Sequence, residues 1–358
     1  MFVSSWFGWL AVRMDNGFML RRDFLASMPA GVAMAGMTAA PRIGVDLFSL
    51  RSQSWSAFEH LDYCAKHGAK VVHFSEIRFL GSLEDDHVKK VAARARELGI
   101  ELEIGMRSIC PTSNLFDPKQ GTGEEQLARL IRAGQIAGSK VVRAFLGNSA
   151  DRKSPGGIEA RIEDAVKVLR TARSRAQDAG VKIAIENHSG DMQGRELKTL
   201  IEGAGSDFVG ACYDTGNPLW TMEDPLLTLE TLAPYILTAH IRDSYLWATD
   251  QGTVVRWTRM GEGNIGMENL LRRFVELCPG KTMSLEIIVT GPRVFNWRQT
   301  DFWKGYENVP AWSFARFAGL AAAGKPQEYA PAPKEQAQAR EREDFEASNI
   351  WMRKFFGV

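Results

Sequence analysis

Apolar and polar positions follow two different periods along the chain, and the two periods alternate. From Ile43 onward, short runs of β-branched and apolar residues give way to stretches with an apolar position every three or four residues. The strand-like runs are Ile43 to Phe48, Val71 to Ser75, Glu101 to Met106, Val141 to Leu146, Val181 to Glu186, Val209 to Asp214, Leu237 to Ile241 and Met283 to Ile288. Between them lie helix-like runs such as Phe58 to His67, Asp86 to Leu98, Glu124 to Ala137, Ile158 to Ala179, Leu197 to Ala204 and Met267 to Leu277. Gly68, Gly99, Gly138 and Gly180 follow four of these and suit a left-handed residue after a helix. Eight β-then-α units predict an α/β chain folded as a (β/α)8 TIM barrel. A doubly wound sheet is the alternative, and the lack of a GxGxxG after the first strand argues against it.

The same pattern divides the chain into three. Residues 41–325 hold the barrel units. Residues 326–358 read as a linker, PQEYAPAPKEQAQ, and a charged helix ending IWMRKFFGV, expected to pack on the barrel or on a second subunit of a homo-oligomer through Ile350, Trp351 and Phe355. Residues 1–40 differ from both. Met19 to Ala40 sets Arg21 and Arg22 before Phe24 and Leu25, a short weakly apolar run and a small-residue end, the pattern of a twin-arginine export signal. Met1 to Arg13 precede the short basic region, so Met14 or Met19 is an alternative start. The run is too short to span a bilayer and no cysteine ends it, so the expected product is periplasmic and carries no stable membrane anchor.

Charge and cysteine content narrow the partners. Among 358 residues, 44 Lys and Arg stand against 43 Asp and Glu, a net charge of +1 that offers no footprint for nucleic acid. Cys64, Cys110, Cys212 and Cys278 are scattered without CxxC spacing and read as isolated core thiols.

The chemistry gathers at the late strands. Glu186, Asp214, His240 and Glu286 each stand at or near the C-terminal end of a strand-like run, where barrel active sites form. Two positions before each lies a small residue on the same face, Ala184, Cys212, Thr238 and Ser284, which leaves room beneath a bound ion. Each ligand candidate has a plainer alternative. Asp214 in DTGNP suits a turn, His240 a satisfied core histidine, and either glutamate a helix cap. Their coincidence favours one site. Three carboxylates and an imidazole suit a hard divalent ion, Mn²⁺ or Mg²⁺ first, with Co²⁺ and Zn²⁺ behind. The loops after the last two strands, Asp243 to Gly263 and Thr290 to Pro310, bring aromatic rings beside arginines, among them Trp247, Arg256, Trp257, Arg293, Trp297 and Arg298, as a carbohydrate site would.

Over Arg42 to Ala323 the chain resembles the xylose isomerase-like barrel superfamily of sugar isomerases and epimerases. The motifs are IENH (Ile185 to His188), YDTGN (Tyr213 to Asn217), HIRD (His240 to Asp243) and Leu285-Glu286. The resemblance implies that Glu186, Asp214, His240 and Glu286 hold the metal, and that Glu186 and Glu286 are the catalytic acid/base pair. His188, Asn217, Arg242, Trp247, Arg256 and Trp297 are the candidate substrate-binding residues. Ketohexose 3-epimerases of the superfamily have a histidine where this chain has Asn217 and an arginine where it has Leu246, and many relatives read HxKD where this one reads HIRD. Endonuclease IV shares the fold but needs a histidine-rich site, and six histidines are few for that. The expected activity is metal-dependent isomerisation or epimerisation of a small carbohydrate through an enediolate. A 3-oxo-glycoside lyase on the same site, or a non-catalytic carbohydrate-binding barrel, are the alternatives.

Overall fold

A computed structural model describes residues 41–331 and 333–358; the export motif and the alternative starts lie outside the described residues. The strands in chain order are β1 (Arg42–Asp46), β2 (Val71–Phe74), β3 (Glu101–Ser108), β4 (Val141–Phe145), β5 (Lys182–Glu186), β6 (Val209–Asp214), β7 (Ile236–Ile241), β8 (Asp243–Thr249), β9 (Gly252–Thr258), β10 (Thr282–Leu285) and β11 (Arg293–Phe295). Strands β1 to β7 and β10 form a closed parallel barrel, with β1 pairing β10 through Ile43 and Met283. This is the TIM barrel that eight alternating units require. Helices cover the outside of the strands, so residues on both faces are buried, and this is why the strands read as nearly continuous apolar runs.

Local chemistry fixes the helix ends. Ser56 with Glu59, and Thr122 with Glu125, form reciprocal capping boxes at the helices Ala57–Lys66 and Gly123–Ala137. Gly138 and Gly180 end their helices at φ of 73° and 64°, a left-handed geometry that a Cβ would strain. The run Ile158 to Ala179 is two helices, Gly157–Thr171 and Arg173–Ala179, separated at Ala172.

Two features depart from the sequence reading. The segment expected as a long loop after β7 is a β-hairpin, β8 with β9, extended by β11 into an antiparallel three-stranded sheet. The C-terminal helix Ala337–Phe356 packs on the barrel with Phe345 and Met352 fully buried, whereas Ile350 is 66% exposed and takes no part. Glu341 of that helix accepts hydrogen bonds from the Ser52 backbone N–H (3.0 Å) and from Gln53 Nε2 (3.0 Å). Asp344 pairs with Arg259 at 2.6 Å. The four cysteines are buried and free. Among the described residues no helix is long and apolar enough to cross a membrane.

Candidate metal centre

Strands β5, β6 and β7 and the residue just after β10 carry Glu186, Asp214, His240 and Glu286 to one point. One ligand atom from each of the four lies within 4.8 Å of the others, and all four residues are buried. His240 Nδ1 is 3.2 Å from Glu186 Oε2 and 3.4 Å from Glu286 Oε2, yet it has no hydrogen-bond partner. Backbone and amide contacts hold the acids in place. Asp214 Oδ1 accepts from the N–H groups of Gly216 (2.8 Å) and Asn217 (2.6 Å), and Asn217 Nδ2 donates to Glu186 Oε1 at 3.2 Å. Asn187, the third residue of IENH, bonds the backbone of Asp214 in both directions and ties the ends of β5 and β6 together.

The space beneath the ligands is filled by side chains from the early strands. Arg143 of β4 reaches across its register partner Ala184 and donates from Nε to Glu186 Oε2 at 2.6 Å. Glu103 of β3 accepts from Thr238 Oγ1 at 2.8 Å, and His73 of β2 lies 2.9 Å from His240 Nε2. The small residues therefore make room for polar neighbours as well as for an ion. On the other side Arg242 donates from Nε to Asp214 Oδ2 at 2.8 Å and also bonds Glu286. Burial alone would raise the carboxyl of Glu286, but Arg242 and then His240 hold it down at about 2. For Glu186, burial is likewise outweighed by Arg143 and His240, and its carboxyl lies well below the usual range. Both acids are carboxylates at neutral pH.

This donor set fits a divalent cation. Three carboxylates converge with an imidazole nitrogen that is buried, unpartnered and faces two carboxylate oxygens, an arrangement that a cation between them satisfies. Residues 61–303 match the family described as the xylose isomerase-like TIM barrel. The chain belongs to that family. Among similar proteins, 3-oxo-isoapionate decarboxylase of Pectobacterium atrosepticum is 23% identical over 54% of this chain. The match spans 62% of that protein's own length. A crystal structure of D-psicose 3-epimerase in the presence of D-fructose superposes with a TM-score of 0.59 at 14% identity, covering 88% of this chain and 100% of the epimerase. The apo 3-keto-D-glucoside 4-epimerase of E. coli gives 0.55 at 14% identity over 78% of this chain and 98% of its own.

Within this member of the family, the candidate substrate residues fall into two groups. Asn217 and Arg242 touch the ligand cluster directly, and His188 stacks on Phe145 with ring centroids 3.8 Å apart. His188 Nδ1 donates to the Gly147 carbonyl at 2.7 Å, which leaves Nε2 as the acceptor. The other three sit on the hairpin and its neighbour. Cross-strand pairing puts Tyr245 with Arg256, Trp247 with Val254 and Ser244 with Trp257, so Trp257 faces one way and Trp247 and Arg256 the other. The face of Trp257 is the one at the centre, with the Arg242 guanidinium 4.2 Å from its ring. Trp247 is buried, Arg256 lies over Tyr329, and Trp297 donates from Nε1 to Thr253 Oγ1 at 2.9 Å. Trp257 stacks on Trp220 at 4.4 Å, and Arg293 covers the far face of that pair at 4.0 Å. Both outer faces of the indole pair are covered by arginines, so it is a wall of the site and not an open platform.

Asp46, His73, Glu103 and Arg143 are the residues that sequence reasoning passed over. The available signal was a charged or imidazole residue inside a strand buried on both faces, as in VVHF and VVRAF.

Proposed function

We propose that the protein is a metal-dependent sugar isomerase or epimerase that removes a proton from the carbon beside a carbonyl and passes through an enediolate. The observation that carries this reading is the convergence of Glu186, Asp214, Glu286 and the unpartnered Nδ1 of His240. A divalent ion held there, Mn²⁺ or Mg²⁺ first, would supply Lewis acidity toward the carbonyl oxygen. Glu186 and Glu286 flank His240 Nδ1 and are both ionised, so each can act as a base toward a substrate C–H. If one takes the proton while the other takes a proton from solvent and delivers it to the opposite face, the carbon is inverted, and the first glutamate then releases its proton to solvent. Arg242 remains protonated and keeps Glu286 ionised between turnovers. His188, with Nδ1 engaged, can accept a hydrogen bond from a sugar hydroxyl at Nε2 in exchange for the Ser189 hydroxyl now 3.3 Å away.

The names of the relatives support a keto-sugar substrate: one acts on a 3-oxo-isoapionate and another on a 3-keto-glucoside. Those oxo groups also favour the second reading, β-elimination from a 3-oxo-glycoside, which begins with the same proton removal. Incubation of the metal-loaded protein with ketoses and 3-oxo-glucosides in D₂O separates them. Deuterium incorporation with an inverted centre is expected; released aglycone would favour elimination. No exchange on any of these sugars, together with sugar binding that survives chelation, would leave only a carbohydrate-binding barrel.

The twin-arginine pattern at Arg21 and Arg22 adds a proposed periplasmic location and, with it, an unphosphorylated substrate. Arg21→Lys with Arg22→Lys should retain the protein in the cytoplasm. Unchanged periplasmic yield on fractionation would remove that location.

A further inference from the structure

An imidazole that ligates through one nitrogen must carry its proton on the other, and that proton needs an acceptor. His240 Nε2 points away from the proposed ligand cluster toward His73 Nδ1, its hydrogen-bond partner at 2.9 Å, and toward Asp46, whose Oδ2 is 3.2 Å away. Asp46 is clamped at its other oxygen: Oδ1 accepts from Ser75 Oγ at 2.8 Å and from the Phe48 N–H at 2.7 Å. Its Oδ2 is fully buried and has no hydrogen-bond partner. In strand register Asp46 lies beside His73, and His73 beside Glu103. His73 Nδ1 is 2.9 Å from His240 Nε2 and 3.6 Å from both Asp46 Oδ2 and Glu103 Oε2. Three early strands thus present one polar row to the back of a single imidazole.

We propose that Asp46 is a positioning residue, supported by His73 and clamped by Ser75, that keeps the proton of His240 on Nε2 and so turns the Nδ1 lone pair toward the metal. This rests on the ligand set proposed above, with Asp46 itself outside that set. The clamp fixes which oxygen is available, because Oδ1 is already engaged twice. An imidazole left to itself would exchange between tautomers, and the Nδ1–H form cannot bind an ion at Nδ1.

Asp46→Asn is the informative change. The amide oxygen can still accept from Ser75 and Phe48, so an NH₂ group faces His240 Nε2. That group needs a lone pair opposite it, and the proton is driven to Nδ1. Two readouts follow on metal-free protein labelled with ¹⁵N-histidine. Ring ¹⁵N shifts of His240, assigned by loss of its signal in His240→Gln and read above the pH at which its imidazolium loses a proton, should report Nε2–H in the wild type and Nδ1–H in the variant. Calorimetric titration with Mn²⁺ should show affinity about 10- to 100-fold weaker in the variant, the usual cost of losing such a partner. The thermal midpoint of the metal-free variant should show that it is folded.

An unchanged tautomer, or Mn²⁺ affinity within about threefold of wild type, would overturn the proposal. A wild type that binds no Mn²⁺ but shows the tautomer switch would overturn the ligand set and leave the positioning role standing. If Asp46→Asn does not fold, Ser75→Ala decides. It frees one side of the clamp and should weaken Mn²⁺ by about threefold or more, and an unaltered affinity would count against the role.

Discussion

In β5, β6 and β7, and just past β10, the acidic and imidazole groups stand at the strand ends above Ala184, Cys212, Thr238 and Ser284. In β2, β3 and β4 the polar groups His73, Glu103 and Arg143 sit inside the strands, with Asp46 closing β1, and they fill the space that those small residues leave. The two late glutamates also differ in charge state from the early acids. Burial raises Asp46 and Glu103 to about 7, whereas Glu286 is held at about 2 because Arg242 and His240 outweigh its burial. A barrel centre of this kind separates its tasks: the late half offers two glutamates that are already ionised, with Asp214 raised to about 7 like the early acids, and the early half supplies the polar groups packed behind them.

The comparison breaks most sharply at Glu286. Glu286→Gln replaces the proposed ligand and base with a poorer ligand that is no base, and it should lower kcat by ~10²–10⁴ with the fold retained. Activity within about tenfold of wild type would remove the late half from the chemistry. In the early half, Arg143→Met leaves Glu186 buried and uncompensated. Urea unfolding of the metal-free protein should show a loss of about 3–5 kcal/mol, much of it recovered when Glu186→Gln is added. No recovery would mean that Arg143 acts through packing alone.

A third test uses pH. The carboxyl of Glu103 is raised from 4.5 to about 7 in the folded protein, so the folded state binds the proton more tightly than the unfolded one. Its contribution is fully present below about pH 4.5 and is lost as pH rises through about 7, a change on the order of 3 kcal/mol. Glu103→Gln should flatten the stability profile of the metal-free protein across that window. A profile of unchanged slope would place the titration elsewhere. The smallest effect belongs to the hairpin. Trp257→Leu removes the ring against Arg242 and should cost about 1 kcal/mol of transition-state binding, read as kcat/KM, whereas Trp247→Leu on the opposite face should leave kcat/KM near wild type. Equal losses would mean that the two faces are not distinguished by the site.

The strands and the four late polar positions could be read from the sequence because each ended an apolar run at a visible boundary. Asp214 and His240 interrupt their runs where the chain leaves the barrel, and the pattern shows this without any contact being known. Asp46, His73, Glu103 and Arg143 gave weaker signals, since they lie within runs or abut others, and their role depends on partners across the barrel. Arg143 meets Glu186 43 residues away and His73 meets His240 167 residues away. The hairpin was readable in principle, for DSYLWAT and GTVVRWT are separated by Asp250 and Gln251. Which of its faces meets the centre was not, because that depends on how Asp243 leaves β7. Its carboxylate accepts from the N–H groups of Gly261 (2.9 Å) and Gly263 (3.1 Å), closing the base of the hairpin.

The clasp of Glu341 on Ser52 joins positions 289 residues apart. While the chain is being synthesised, the turn after β1 must wait for 289 further residues before this partner emerges. Contacts of such sequence separation make closure a late event in folding. A ribosome-bound chain whose helix Ala337–Phe356 has not yet emerged therefore carries a barrel whose first turn is unsealed.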